Sequence, residues 1–214
     1  LTASGTVGGT AIRLSNLSGG TFSGGAVQIA GTTGSGSDGI FISGSSNAIN
    51  FGATQLADSL GAPELGDDGV EISATSGDIT FASLTVGPTA IDVSPTHHGM
   101  VITGATGDVT VSAGAFTAGI HGHSVFIDGD NVANTGDINI AAQITRGGAG
   151  LFGDAVRIND HDAGTITFSG NINSTTGGIN VSGVNGGSVN FTGQSISINH
   201  SGLGVSLSGN TDDN

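Results

Sequence analysis

The 214-residue chain contains no cysteine, so disulfides and thiolate metal sites are excluded. Lysine is also absent, and the 3 basic residues are Arg13, Arg146 and Arg157. Against them stand 17 acidic residues, for a formal charge of −14. Three cations cannot neutralise a run of phosphates, which argues against a nucleic-acid partner. Attraction to anionic membrane surfaces is disfavoured for the same reason. No apolar run approaches the ~18 residues that a spanning helix needs, so no membrane span is expected. Proline occurs 3 times and glycine 41 times without a three-residue period, which excludes collagen. Aromatic residues make up 4%. Low aromatic content would also fit disorder, but the apolar residues recur in register, and a disordered chain has no need of periodicity.

What is present is one repeated phrase. Asp68-Gly-Val-Glu-Ile-Ser-Ala-Thr-Ser-Gly-Asp-Ile-Thr-Phe81 recurs as Asp38-Gly-Ile-Phe-Ile-Ser and Ile49-Asn-Phe51. It returns in His98–Val111 and again in Thr176–Phe191. A phrase at near-constant spacing means one short unit stacked on copies of itself.

Each repeat divides into three strand-like pieces. Strand a carries paired inward positions: Ile12/Leu14, Ile40/Ile42, Val70/Ile72, Met100/Ile102, Val125/Ile127, Val156/Ile158, Ile179/Val181 and Val205/Leu207. Alternation in short β-branched runs is the half-buried strand signal. The first members lie 23 to 31 residues apart, which fits loops of varying length between fixed strands. Strand b carries Phe22, Ile49/Phe51, Ile79/Phe81, Val109/Val111, Ile138/Ile140, Ile166/Phe168 and Val189/Phe191. The step from Ile127 to strand b is 11 residues where those from Ile42, Ile72 and Ile102 take 7, so Asp128–Gly136 carries an insertion. Strand c is weaker, with Val27/Ile29, Leu56, Leu84/Val86, Phe116, Ile144, Ile172 and Ile196/Ile198. Gly and Asn cluster at the corners, where positive φ turns the chain. The expected fold is all-β: a single-stranded parallel β-helix of about seven coils, three short strands per coil, with 1–214 as one continuous domain. An antiparallel sandwich has no reason to repeat one phrase.

Phrases such as Gly69-Val-Glu-Ile-Ser, Gly77-Asp-Ile-Thr-Phe81 and Gly178-Ile-Asn-Val-Ser-Gly183 resemble the repeats of large bacterial surface proteins, the filamentous-haemagglutinin-type adhesins and autotransporter passenger domains. The resemblance covers nearly the whole chain. It implies a right-handed β-helix, secretion, and a place at the cell surface or outside the cell. The chain begins at Leu1, shows no signal peptide, and stops inside the repeat at Asn214, so an excised segment or filament subunit is expected.

Candidate sites stand beside blander readings. Gly66-Asp67-Asp68, Gly122-His123 and Arg157-Ile158 are similar, in order, to the pectin-hydrolase signature, making Asp67, Asp68, His123 and Arg157 the catalytic candidates. Glycoside hydrolysis needs an acid and a base flanking the scissile bond. The spacing departs from that family, its Asn-Thr-Asp element is missing, and Asn159 stands where it has Lys. Asp68 also holds the corner position of Asp38 and His98, as a solvated turn residue would. Asp128, Asp130, Asn131, Asp160 and Asp162 are oxygen donors suited to calcium, and no other cofactor is expected. Asp and Asn are equally turn formers, as Asp78, Asp108 and Asp137 are before strand b. His97, His98, His121 and His123 have metal-like spacing but no clear further ligand. The outward residues Thr21, Asn50, Thr80, Thr110, Asn139, Thr167 and Asn190 form a ladder along one face, suited to ice or a host or matrix glycan, or to simple sheet support. The reading adopted is a structural, non-enzymatic extracellular segment that associates end to end or with neighbouring repeats. A polysaccharide hydrolase and a glycan- or ice-binding face are the alternatives.

Overall fold

A computed structural model describes residues 2–34, 36–57, 65–89, 97–129, 132–148, 153–200, 202 and 204–210. Every regular element among them is a strand, and no helix there is long and apolar enough to cross a membrane. The first coils hold β1 (Thr2–Gly8), β2 (Ile12–Ser15), β3 (Thr21–Thr33), β4 (Ile40–Ser43), β5 (Ala48–Leu56), β6 (Val70–Ser73) and β7 (Ile79–Val86). The middle holds β8 (Met100–Thr103), β9 (Val109–Val111), β10 (Gly114–Phe116), β11 (Val125–Asp128), β12 (Ile138–Ile140) and β13 (Gln143–Arg146). The last coils hold β14 (Val156–His161), β15 (Thr165–Phe168), β16 (Ile172–Ser174), β17 (Ile179–Val184), β18 (Ser188–Phe191), β19 (Ile196–Ile198) and β20 (Val205–Ser208).

The strands stack as a β-solenoid, and every pairing is parallel. Strands a form one eight-stranded sheet in the order β2-β4-β6-β8-β11-β14-β17-β20. Strands b and c form a second sheet of 12 strands, continuous as β3, β5 and β7 in the early coils and split in the later ones. The six strands a from β4 to β17 have neighbours on both sides. About six turns are therefore enclosed, slightly fewer than the seven expected.

Register places like on like. Ile40 faces Val70, Val70 faces Met100, and Ile72 faces Ile102. These inward side chains are fully buried, and each contributes roughly 1.5–3 kcal/mol by leaving water. The spacing of apolar residues thus fixes both the strand and its place in the stack.

The corner after strand a is a line of left-handed residues: Asn16 (φ 55°), Gly44 (57°), Ala74 (49°), Gly104 (65°), Asp160 (55°), Gly183 (68°) and Gly209 (62°). This is why Gly, Asn and Asp crowd there. The corner before strand a needs glycine for a different reason. A Cβ on Gly39 would lie 2.6 Å from the Gly69 carbonyl oxygen of the next coil.

One part of the outward ladder is corrected. Thr21 pairs with Ala48, and it is Ser23 that faces Asn50. After that pair the register slips: Gly24 is left unpaired and Gly25 faces Phe51, a bulge in the first coil. Phe22 therefore meets Phe51 edge-on, with centroids 5.7 Å apart, whereas Phe51 and Phe81 stack at 5.0 Å. From Asn50 onward the ladder runs as expected through Thr80, Thr110, Asn139, Thr167 and Asn190.

Candidate functional site

The corner leading into each strand a carries a column of polar side chains. Thr10, Asp38, Asp68, His98, His123 and Asp154 occupy it in successive coils. Thr10, Asp68, His98 and His123 accept the amide hydrogen of their counterpart one coil on, and Asp154 that of Gly178, one residue past its counterpart. Asp38 N–H donates to Thr10 Oγ1 at 3.4 Å, and His98 N–H to Asp68 Oδ1 at 2.6 Å. His123 N–H donates to His98 Nδ1 at 2.8 Å, Asp154 N–H to His123 Nδ1 at 2.7 Å, and Gly178 N–H to Asp154 Oδ1 at 3.4 Å. The side chains satisfy amides that the strand ladder leaves over at the bend.

The geometry fixes the imidazoles' protonation. A nitrogen that accepts an N–H carries no proton, so His98 and His123 bear theirs on Nε2. Burial pushes His98 down to about 4, helped by His97 and Arg146. Burial likewise pushes His123 down to about 3, helped by His98 and Arg157. The two rings stack 5.0 Å apart at 16°, and both lean on Phe126, the outward residue of β11.

Three carboxyl groups converge at the column's early end. Asp38, Asp68 and Glu71 each place an oxygen within 4.8 Å of the others. Burial and the neighbouring Asp67 raise Asp38 to about 6, with Thr10, the Asp68 amide and Arg13 opposing. Burial, then Asp38 and Asp67, raise Glu71 to about 7, with Arg13 opposing. Asp68 is raised well above the carboxylate range, mainly by burial. Arg13 sits over the Phe41 ring, 4.2 Å from its centroid. The group offers oxygen donors alone, the set a hard cation takes.

A second, exposed column serves strand b. Asp108 N–H donates to Asp78 Oδ1 at 3.0 Å, Asp137 N–H to Asp108 Oδ1 at 2.9 Å, and Thr165 N–H to Asp137 Oδ1 at 2.8 Å. The expected turn role of these aspartates thus takes a specific form.

The catalytic candidates lie along one edge of the solenoid in two groups, Asp67 beside Asp68, and His123 with Arg157, both of which approach one Asp154 oxygen. Asp67 and Asp68 stand beside Asp38 and Glu71. His123 is two coils beyond Asp68, roughly 10 Å at the strand spacing, with His98 between them. Arg157 reaches Asp154 at 4.0 Å, a further coil on. The calcium candidates fare differently. Asp130 and Asn131 lie outside the described residues. Asp160 turns the chain and accepts an Asn185 amide hydrogen at 2.7 Å. Among the described residues, Asp128, Asp160 and Asp162 belong to no group of three donors. His97 lies 3.7 Å from Asp67, and the His121 amide bonds Thr89 Oγ1 at 2.8 Å. His123 is therefore matched with His98 of the neighbouring coil rather than with His121 of its own.

Glu71 and Asp38 are the residues that the site adds. The alignment of coils signals Asp38, which shares one position with Asp68, while Glu71 is an outward residue of the strand a that follows. Inside the solenoid, Arg146 points inward from β13, donates to the Ile120 carbonyl at 3.3 Å, and is held down to about 10 by burial.

Set against known proteins, the chain matches no family model, no curated protein and no solved structure.

Proposed function

We propose that this chain is a structural segment of an extracellular β-solenoid protein, an adhesin stalk or filament subunit, and that it performs no catalysis. One observation carries the reading: a whole column of the polar residues that could do chemistry is engaged in joining coils. Asp68, His98, His123 and Asp154 each hold the amide of the next coil. Asp68 Oδ1, His98 Nδ1, His123 Nδ1 and Asp154 Oδ1 are committed to backbone amides, which gives these side chains a structural task. The mechanism is mechanical. Each coil is bonded along three sides to the next, so bending the rod strains many bonds at once. The likeness of the repeated phrase to adhesin repeats supports placing it outside the cell, and the partners are neighbouring coils of the same kind.

Polysaccharide hydrolysis is the second reading, favoured by the raised carboxyls of Asp38 and Glu71. The two are separated by assaying release of reducing ends from neutral and acidic polysaccharides, with Glu71→Gln as control. No release is expected from either protein. Release that Glu71→Gln abolishes would replace the structural reading with the enzymatic one.

A further inference from the structure

Behind the corner that follows strand a runs a buried column: Ser45, Thr75, Ala105, Asn134, His161 and Val184 in successive coils. Their backbones keep them in step. The carbonyls of Ser45, Thr75, Ala105, Asn134 and His161 accept the amide hydrogens of Ser76, Thr106, Thr135, Asp162 and Asn185, each one residue past the next member. Two of the polar side chains also join coils. Ser45 Oγ accepts the Leu17 amide hydrogen at 3.3 Å, and Asn134 Oδ1 accepts that of Ala105 at 2.8 Å.

His161 holds the place of such an acceptor without doing its task. It is 0% exposed, and neither ring nitrogen has a hydrogen-bond partner. The Asn134 side-chain nitrogen, one coil earlier, has none either. The ring is nevertheless closely fitted. A Cβ on Gly187 of the following coil would lie 2.6 Å from His161 Cδ2 and 2.9 Å from Nε2, so that coil needs glycine to admit the imidazole. A neutral ring tolerates this setting. A charged one does not, because burial without a partner penalises an ion far more than a neutral group.

We infer that His161 is an acid-sensitive joint: a proton taken up by its ring loosens the contact between the coil of β14 and that of β17 while the early coils stay closed. Neither a stalk nor a hydrolase role is required for it.

Among the described residues, the charged groups that act on the ring are three carboxylates. Asp160 and Asp162 flank it in its own corner, and Asp137 stands in the preceding coil. The following coil brings none, since residues 163–210 contain no Asp, Glu, Lys or Arg. The carboxylates and the nearby Gly164 carbonyl favour a charged ring. Asp137 is exposed, however, and Asp160 and Asp162 are half-buried. Water screens their attraction, whereas nothing offsets the desolvation of the ring. Burial prevails, and the ring is held below the 6.5 of free imidazole.

Well above 6.5 the ring is neutral whether the joint is closed or open, and its contribution is fully present. As the pH falls below 6.5, the open form takes up a proton that the closed form resists. Opening then gains up to about tenfold for each pH unit. The early coils respond with the opposite sign, because Asp38 and Glu71 are raised when folded. Acid therefore tightens β4 and β6 while it loosens β14 and β17.

The test is amide hydrogen exchange at pH 7.5 and pH 5, corrected for the intrinsic rate, on the wild-type chain, His161→Asn and His161→Val. Asn is the residue of the preceding coil and Val that of the following one, and neither titrates. In the wild type, opening of β14 and β17 is expected to become about tenfold or more frequent at pH 5, with no such gain in β4 and β6. Both variants should lose this gain, whatever their absolute stability. Unchanged opening of wild-type β14 and β17 at pH 5 overturns the inference. So does an equal gain in the variants, which would assign the response to His98 and His123. An equal gain in β4 and β6 also overturns it, because the chain would then open as a whole.

Discussion

His98 Nδ1 accepts the amide hydrogen of His123 at 2.8 Å, and the two rings stack with centroids 5.0 Å apart. The pair shows how a column side chain binds its coil to the next. His98→Ala would leave the His123 amide buried without an acceptor, at a cost of about 1–3 kcal/mol. His98→Asn should recover part of that loss, because an Asn oxygen performs the same task where Asn134 Oδ1 accepts the Ala105 amide at 2.8 Å. Urea denaturation of the three proteins decides the point. Equal losses for Ala and Asn would mean that the ring acts by packing alone.

The column predicts two opposing pH dependences. His98 and His123 titrate lower when folded, at about 4 and about 3, than the 6.5 of free imidazole. The unfolded chain takes up protons first as pH falls, so their contribution is present above about 6.5 and is lost progressively towards pH 3. Asp38 and Glu71 titrate higher when folded, at about 6 and about 7. There the folded chain binds protons first, so stability falls as pH rises from about 4 to about 7. Glu71→Gln should therefore raise the melting temperature at pH 8 and change it little at pH 4. A variant less stable than wild type at pH 8 would show that the Glu71 charge is satisfied rather than strained.

Much of the fold could be read from period alone, because the repeat states the same strand again and again. Ile72 is inward for the same reason as Ile42 and Ile102, and all three are fully buried. Thr21 misleads because Phe22 has no second inward partner in its strand to fix the alignment: it pairs with Ile49 and not with Phe51, so Ser23 faces Asn50. The site was partly legible. Asp38, Asp68 and His98 visibly share a corner, but the sequence does not show that each holds the next coil's amide. Glu71 was missed because it belongs to a strand face rather than to the corner. It joins the cluster through a sheet register that only the stacked coils display.

The turn after strand a gives a prediction free of charge effects. Ala74 adopts φ 49° where Gly44 and Gly104 adopt 57° and 65°. A side chain in that conformation costs roughly 1 kcal/mol, so Ala74→Gly should stabilise the chain by up to that amount. Gly209→Ala tests the converse at φ 62°, where an added Cβ would approach no closer than 3.8 Å to the Gly183 nitrogen. Thermal melts of both should move in opposite directions. Movement of both downward would mean that the Ala74 methyl makes a contact worth more than its backbone strain.

The inward ladder sets the last expectation. Phe81 is fully buried and stacks on Phe51 at an angle of 8°, with Val111 in the paired position one coil on. Phe81→Ala removes the ring contacts and leaves a void that the backbone cannot close, since Phe81 sits between two hydrogen-bonded coils. The expected loss is about 3–5 kcal/mol. A stack held by nearest-neighbour contacts should lose that stability locally. Amide hydrogen exchange should therefore quicken first in β5, β7 and β9, while β14 to β18, two or more coils away, keep their protection. If β15 and β17 lose protection in step with β7, the coils unfold as one unit, and the chain behaves as a single cooperative domain rather than a linear array.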